Sequence, residues 1–265
     1  MTGMPFADER GDRRPRRADP PALRAMVVDD EEPLADLVGS YLERDGFDVT
    51  ITGDGQDAVD LACRIAPDVI VLDLGLPGLD GIEVCRQVRT HSDAYIVMLT
   101  ARTEEVDTLI GLSVGADDYM TKPFSPRVLS ARIQAMMRRP RQGTAKGGGK
   151  ASPRVHSIGR LTIDTAGREV AVGGTAIELT RTEFDILVAL ARDPGIVVTR
   201  AQLMAAVWGP NWVGDDHLVD VHIGHLRRKL GDDAAVGRYV RTVRGVGYRM
   251  GPCPVSYTHL RAHET

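Results

Sequence analysis

The 265-residue chain is 43% hydrophobic and 26% charged, with a formal net charge of −4, and this length is typical of two compact domains. No apolar run approaches the roughly 18 residues that span a membrane, and the N-terminal residues lack the apolar segment of a secretory signal. Three scattered cysteines form neither a metal-binding spacing nor an even disulfide set, which is typical of a cytoplasmic protein.

The charge is distributed unevenly along the chain. Residues 23–137 carry 9 basic and 21 acidic side chains, whereas residues 138–153 carry 5 basic and no acidic ones. Residues 154–250 carry 13 basic and 11 acidic side chains. An acidic half joined to a mildly basic half indicates two domains with different partners.

The N-terminal half contains two predicted regions. Residues 1–21 are rich in proline and arginine and show no hydrophobic period, which predicts a disordered extension. In residues 22–139 short apolar runs alternate with helical patterns; the runs are AMVV at 25–28, FDVTI at 47–51, VIVL at 69–72, YIVML at 95–99 and DDYMT at 117–121. Five such alternations predict an α/β, flavodoxin-like domain, with a doubly wound five-stranded parallel sheet between two layers of helices.

The C-terminal half begins after a flexible linker, which the composition of PRQGTAKGGGKASP predicts at residues 140–153. In residues 154–252 short alternating runs predict antiparallel strands, followed by helices at about 181–191, 199–208 and 216–230 and a hairpin around Gly245–Gly247. This order predicts an α+β winged helix-turn-helix domain. Residues 253–265 fit neither domain, and we interpret them as a non-native tail because SYTHLRAHET resembles translated sequencing adapter.

Polar side chains follow successive strands of the predicted parallel sheet. Asp29 and Asp30 end the first strand, Asp73 the third and Thr100 the fourth, and Lys122 follows the fifth. Because the carboxyl ends of parallel strands share one edge, these side chains should converge. Three carboxylates repel one another without a cation, and Mg²⁺ prefers oxygen ligands. The pattern predicts a carboxylate that attacks a phosphoryl donor, with Lys122 and Thr100 stabilising the phosphoryl oxygens.

A resemblance supports this chemistry. The motifs VVDDEEP, VLDLGLPGLDG, MLTAR and GADDYMTKPF resemble those of bacterial response-regulator receiver domains over about residues 23–139. The resemblance implies that Asp73 accepts a phosphoryl group from a sensor histidine kinase. It also implies a Mg²⁺ site made of Asp30, Asp73, the backbone carbonyl of Gly75 and, through water, Asp29.

The same resemblance implies how the phosphorylation signal leaves the site. Lys122 would contact the phosphate through a loop with a cis bond before Pro123, and Thr100 and Tyr119 would form a switch pair. Relatives dimerise through the face made by the last strand of the sheet and its two flanking helices. The charge pairs that carry over to this chain are Asp117 with Arg139 and Asp118 with Arg132. A further pair is missing, because its positions hold Thr108 and Val128.

A second chemistry uses a similar pattern. Phosphatases of the haloacid-dehalogenase type also place a strand-ending aspartate beside Mg²⁺. They need a second aspartate two residues later as the acid and base, and that position holds Gly75 here. The residue at this position disfavours the phosphatase interpretation.

The C-terminal half has its own resemblance. LTRTEFDILVALARDPGIVVTRAQLMAAVWG, VDVHIGHLRRKL and VRTVRGVGYR resemble the winged-helix effector domain of the OmpR/PhoB type over about residues 155–250. This implies that helix 216–230 enters the major groove and that the hairpin is the wing. The predicted DNA contacts are His217, Val221, His225, Arg227, Arg228, Arg241 and Arg244. With His222 beside them, the histidines predict DNA binding that tightens as the pH falls. The alternative is that His222 packs against the domain and His217 points to solvent, and the basic helix end also suits the helix dipole alone.

Together these features predict a phosphorylation-dependent transcription regulator, with no enzyme activity beyond weak self-phosphorylation and autodephosphorylation. Phosphorylation would shift a pre-existing equilibrium toward a homodimer on tandem half-sites of double-stranded promoter DNA. RNA polymerase is a further candidate partner, and no membrane contact is expected. The alternative is a phosphorylation-independent DNA-binding regulator whose receiver serves only as an interaction module, and the intact carboxylate cluster argues against it.

Overall fold

The computed structural model describes residues 22–101, 114–137, 155–210, 212 and 217–252. The predictions for residues 1–21, 140–153 and 253–265, and those for Thr108 and Arg139, lie outside the described residues. Within the described ranges, no helix combines the length and the apolar character needed to cross a bilayer.

The N-terminal half forms the predicted parallel sheet. Its strands are β1 (Arg24–Val28), β2 (Asp48–Thr52), β3 (Val69–Asp73), β4 (Tyr95–Thr100) and β5 (Asp118–Thr121). They lie in the order β2-β1-β3-β4-β5, and every neighbouring pair is parallel. Strands β3 and β4 are buried along their whole length, which explains their uninterrupted apolar sequences.

Four described helices accompany this sheet. They are α1 (Glu32–Arg44), α2 (Gly55–Ile65), α3 (Gly81–Val88) and α4 (Pro126–Met137). Asp54 and Asp80 begin α2 and α3, because each carboxylate accepts a hydrogen bond, 2.8 Å long, from a backbone N–H of the first helical turn. Asp80 therefore marks the end of the loop that follows Asp73 and fixes where the chain leaves the edge of the sheet to begin α3.

The C-terminal half contains two antiparallel sheets and three described helices. Strands β6 (Val155–Ile158), β7 (Leu161–Asp164), β8 (Glu169–Val172) and β9 (Thr175–Ala176) form the first sheet in chain order. Next come α5 (Arg181–Ala191), β10 (Val198–Thr199), α6 (Arg200–Val207), α7 (His217–Leu230), β11 (Val240–Val243) and β12 (Gly247–Met250). The second sheet has the order β10-β12-β11. The predicted helices and hairpin are confirmed, with ends that differ by at most one residue.

Helix α7 is amphipathic in the way that its sequence predicts. Val219, Ile223, Leu226 and Leu230 form one buried stripe, with at most 4% of any of these residues exposed. This stripe packs against α5 and α6. Capping boxes at Thr180 and Thr199 fix where α5 and α6 begin.

Candidate phosphoryl-acceptor site and nucleic-acid interface

Three carboxylates meet at the carboxyl edge of the parallel sheet, as the strand ends predict. Asp29 follows β1, Asp30 follows it directly, and Asp73 ends β3; one oxygen from each lies within 4.8 Å of the others. Asp29 and Asp73 are 2% and 5% exposed, whereas Asp30 is exposed. The site is therefore open to solvent only at Asp30. The two buried carboxylates, Asp29 and Asp73, need a positively charged partner.

Lys122 supplies part of that positive charge. Its Nζ lies 2.9 Å from Asp73 Oδ1 and 3.0 Å from Asp29 Oδ2. Burial alone would lower the pKa of Lys122, but hydrogen bonds to Asp73, Asp29 and Glu31 outweigh it and raise that pKa above its usual value. The ammonium group is therefore charged throughout the physiological range.

The donor set fits a divalent cation of the Mg²⁺ type. All three converging groups are carboxylates, which are the ligands that a hard cation prefers. Burial raises the pKa of Asp29 despite the hydrogen bond from Lys122, so a cation bound beside Asp29 would stabilise its charged form. The Gly75 N–H donates to Asp73 Oδ2 at 2.8 Å, which places the Gly75 backbone beside the cluster, as the ligand prediction requires.

The predicted switch residues lie on adjoining strands. Thr100 ends β4 and is 3% exposed, and Tyr119 lies half-buried on β5, opposite Met98 of β4. The Lys122 N–H donates to the Thr100 carbonyl at 2.6 Å. The bond between Lys122 and Pro123 is cis, as predicted. The phosphate-binding lysine and both switch residues therefore share one hydrogen-bonded pair of strands.

Three of the predicted dimer residues, Asp117, Asp118 and Arg132, have partners within the described part of the chain. Asp118 lies 3.4 Å from Arg132. Asp117 is fully buried, and its Oδ2 accepts from Arg89 at the end of α3 and from the Ile96 N–H. Among the described residues, Asp117 Oδ1 has no hydrogen-bond partner. Sequence analysis missed Arg89, because nothing in its spacing marks a link between the end of α3 and β5.

The two domains pack together through α7 and the β5 side of the receiver. His222 Nε2 lies 3.2 Å from the Asp117 carbonyl oxygen, and the Arg132 guanidinium lies 4.3 Å from the centre of the Trp212 ring. At a second contact, Arg181 of α5 lies 3.3 Å from Asp93 before β4. The face of α7 that carries His222 is therefore covered.

This packing decides between the two interpretations of His222. His222 does not lie beside a groove-facing side of α7, because the residue is only 1% exposed and its ring lies 5.6 Å from that of Trp208. Burial lowers the pKa of His222 despite the nearby Asp117 and Glu183 charges. A neutral imidazole is flat and compact enough to fill a contact between domains, and helical periodicity alone cannot distinguish this position from one that faces a groove.

The predicted DNA contacts divide into two groups. His217, Arg228, Arg241 and Arg244 are exposed, and Val221 is half-buried. His225 and Arg227 are only 7% and 9% exposed, so in this arrangement neither presents its side chain to a groove. The chain thus offers a smaller polar surface on α7 than its sequence predicts.

His225 and Arg227 are buried for different physical reasons. Burial, followed by the neighbouring His222, lowers the pKa of His225 to about 4, and its Nδ1 lies 3.9 Å from Glu183. Arg227 donates from Nε and a terminal nitrogen to the Val240 carbonyl, at 3.1 and 2.9 Å, and to the Thr242 hydroxyl at 2.7 Å. Arg227 therefore ties α7 to β11 of the wing.

Fold and site together define a two-domain protein with a receiver and a winged-helix domain. Residues 25–134 match the family "Response regulator receiver domain", and residues 174–250 match "Transcriptional regulatory protein, C terminal". The chain therefore belongs to the response regulators of the OmpR/PhoB type. This confirms the resemblance seen in the sequence.

Named relatives cover nearly the same length. The chain is 45% identical over 229 residues to "DNA-binding response regulator MtrA" of Mycolicibacterium smegmatis, which spans 86% of this chain and 97% of the relative. It is 43% identical over 225 residues to "Sensory transduction protein RegX3" of the same organism, spanning 85% and 97%. A mutant of RitR has a similar structure, with a TM-score of 0.68 and 29% identity over 86% of this chain and 98% of that one. The similarity thus includes both domains.

Proposed function

We propose that Asp73 accepts a phosphoryl group from a sensor histidine kinase, and that this event controls DNA binding by α7 and the wing. The protein is a phosphorylation-dependent transcription regulator, and its receiver is phospho-accepting and not a classical enzyme. The observation that carries the assignment is the contact of Lys122 Nζ with both Asp29 and Asp73, at 3.0 and 2.9 Å, beside the exposed Asp30.

Asp73 is oriented for attack on a phosphoryl donor. The Gly75 N–H holds Oδ2, and Lys122 lies beside Oδ1, so the carboxylate is fixed before a donor arrives. One Asp73 oxygen forms a bond to phosphorus, and the bond between phosphorus and the donor histidine nitrogen breaks, with its electron pair staying on nitrogen. Lys122 and the Thr100 hydroxyl would then stabilise the phosphoryl oxygens.

Mg²⁺ is the cation that we propose for this pocket. Asp29, Asp30, Asp73 and the Gly75 carbonyl would hold it, and when bound it would neutralise negative charge on the phosphoryl oxygens. The same chemistry supports slow self-phosphorylation by small donors and slow autodephosphorylation by water.

Release of α7 links the phosphoryl site to DNA. The His222 ring contacts the Asp117 carbonyl oxygen, and the Trp212 ring packs on Arg132. The predicted dimer face and one side of α7 therefore cover each other. We infer that phosphorylation, acting through Thr100 and Tyr119, favours separation of these surfaces. A homodimer using Asp117, Asp118, Arg132 and Arg139 could then form on double-stranded promoter DNA, and RNA polymerase is a further proposed partner.

Intact-mass measurement tests the phosphoryl acceptor. With acetyl phosphate and Mg²⁺, the full chain should gain one phosphoryl group. Asp73→Asn should gain none, because an amide oxygen is too weak a nucleophile. Asp36→Asn is the matched control, since Asp36 is an exposed carboxylate of α1, and this variant should be phosphorylated like the wild type. An undiminished adduct on Asp73→Asn contradicts the assignment.

DNA binding separates this function from the phosphorylation-independent alternative. Acetyl phosphate should increase the DNA affinity and the dimer fraction of the wild type and leave Asp73→Asn unchanged. Equal DNA affinity with and without the donor, in a chain whose mass shows the adduct, would support the alternative instead.

A further inference from the structure

A fourth carboxylate, that of Glu31, lies at the phosphoryl-acceptor pocket. Glu31 Oε1 accepts a hydrogen bond from Lys122 Nζ at 3.0 Å. The contact joins residues that are 91 positions apart in the chain. The Glu31 side chain is 65% exposed, whereas those of Asp29 and Asp73 are 1% and 7% exposed. Glu31 is thus the only solvent-facing carboxylate of the three that hold Lys122.

Glu31 occupies a capping position but does not cap the helix. Glu31 is the residue before α1, where short polar side chains usually cap the helix. Its side chain makes no capping hydrogen bond. Its backbone N–H donates to Asp29 Oδ1 at 3.0 Å, which fixes the backbone next to the pocket. The glutamate side chain is therefore free of the helix and directed to the ammonium group of Lys122.

The geometry of Lys122 makes Glu31 a competitor of the phosphoryl group. A lysine ammonium has three N–H donors, and Asp29, Glu31 and Asp73 lie within 3.0 Å of Nζ. An incoming phosphoryl oxygen can bind Nζ only when one carboxylate leaves. Asp29 and Asp73 are buried and face the proposed cation. Glu31 can leave at the lowest cost, because water solvates it as it departs.

Resting on the function proposed above, we propose that Glu31 is a positioning residue that holds Lys122 between phosphorylation events and slows phosphorylation of Asp73. The phosphoryl group displaces Glu31 from Nζ. With an acyl phosphate as donor, an Asp73 oxygen bonds to phosphorus, and the bond from phosphorus to the acyl oxygen breaks, releasing the carboxylate with the electron pair. Glu31 and Lys122 keep their charges throughout.

The chain offers a matched control for this proposal in Glu32. Glu32 is the next residue, is exposed, and lies in the first turn of α1. Glu31→Gln and Glu32→Gln remove the same charge at nearly the same place, but only Glu31→Gln weakens the hold on Lys122. Glu31→Asp keeps the charge and shortens the side chain by one methylene, so it separates reach from charge.

The experiment measures the rate of the phosphoryl adduct by intact mass, on the full chain with acetyl phosphate and saturating Mg²⁺. Glu31→Gln and Glu31→Asp should both be faster than the wild type by about twofold to fivefold, the size expected for one largely exposed ion pair. Glu32→Gln should match the wild type. The Mg²⁺ dissociation constant from calorimetry should stay within about twofold in all four proteins, because Glu31 is not a proposed ligand.

Three outcomes would overturn the proposal. Equal rates for Glu31→Gln and wild type would show that Glu31 does not restrain Lys122. Equal acceleration by Glu32→Gln would show a general charge effect. A slower Glu31→Gln with weaker Mg²⁺ binding would show that Glu31 serves the cation. Thermal unfolding of each variant checks that its fold is intact. Absence of the adduct in the wild type, or an undiminished adduct on Asp73→Asn, would instead refute the phosphoryl-acceptor function itself.

Discussion

Neighbouring residues of α7 with the same chemistry have opposite surroundings. Arg227 is 9% exposed and donates to the Val240 carbonyl and the Thr242 hydroxyl of the wing, whereas Arg228 is exposed. We expect Arg227→Ala to lower the free energy of unfolding by about 2–3 kcal/mol, because it removes charge-assisted hydrogen bonds in a buried place. Arg228→Ala should change that free energy by less than about 0.5 kcal/mol. Urea unfolding of both variants measures the difference.

DNA binding by the same pair gives the complementary result. Arg228→Ala should weaken binding to all sequences alike and reduce the salt dependence by about one released counterion.

Arg227→Lys is the second variant for Arg227, since it keeps the charge and loses the planar fork. If Arg227→Lys unfolds like the wild type, the hydrogen bonds to the wing contribute little, and Arg227 returns to the set of DNA contacts.

At the residue scale, the sequence predicts groups whose places depend on strand ends. Asp29, Asp73 and Lys122 meet because parallel strands align their carboxyl ends, so a one-dimensional pattern is enough. The contacts of Glu31 and Arg89 could not be predicted in this way. Each is made by a flexible side chain to a distant segment, and its partner depends on the final position of a loop or a helix end.

Two glycines of the C-terminal domain show how element geometry determines the effect of the same substitution. Gly224 lies inside α7, is exposed, and a Cβ there would meet nothing within 4 Å. We expect Gly224→Ala to raise the free energy of unfolding by about 0.5–1 kcal/mol, because glycine is a poor helix former. At Gly247, a Cβ would lie 2.2 Å from the Val198 carbonyl oxygen. Gly247→Ala should lower that free energy by about 1–3 kcal/mol.

The Gly247 effect should extend to DNA binding. Gly247 begins β12, which pairs with β10 and with β11 of the wing. An alanine side chain at this position would push β10 away from β12 and thereby shift the hairpin of β11 and β12. Chemical denaturation compares the stability of both glycine variants, and titration of DNA at fixed salt compares their affinity. A stable Gly247→Ala variant with a wild-type affinity would mean that the β10–β12 contact does not position the wing.

At the element scale, long patterned segments were predicted well and short ones were not. The runs of β1 to β5 and the period of α7 carry their own signals. The two-residue strands β9 and β10 have no pattern of their own and exist because a longer neighbour pairs with them. For α7, periodicity identifies the buried stripe, but it cannot show that a second domain covers another side of the helix.

At the scale of the whole molecule, the contact between the domains includes a titratable group at its centre. His222 of α7 is buried against the Asp117 carbonyl. The charged neighbours that affect its pKa are the Asp117 carboxylate, Glu183 of α5, and Arg89 at the end of α3. Burial lowers the pKa of His222 in the packed arrangement, whereas a solvated histidine titrates near 6.5. The contribution of His222 to the packed arrangement is therefore fully present above about pH 6.5, and it is lost as the pH falls toward the lowered pKa of His222.

Intrinsic fluorescence can follow this separation, because the chain has two tryptophans and both lie near the contact. The Trp208 ring lies 5.6 Å from the His222 ring, and the Trp212 ring packs against the Arg132 guanidinium of the receiver. Without DNA and phosphodonor, the emission maximum should shift to longer wavelength as the pH falls below about 6.5, because Trp212 becomes solvated. The wavelength is the informative quantity, since a protonated His222 could quench Trp208 without any separation of the domains.

His222→Gln isolates the contribution of His222 to this shift. Burial raises the pKa of the nearby Asp118 to about 7, so Asp118 titrates in the same pH range and adds a background to the measurement. The difference between the wild type and His222→Gln removes that background, because glutamine can still donate a hydrogen bond but does not titrate in this range. His217→Gln, which changes an exposed histidine of the same helix, should behave like the wild type. If His222→Gln shows the same pH-dependent shift as the wild type, protonation of His222 does not separate the domains.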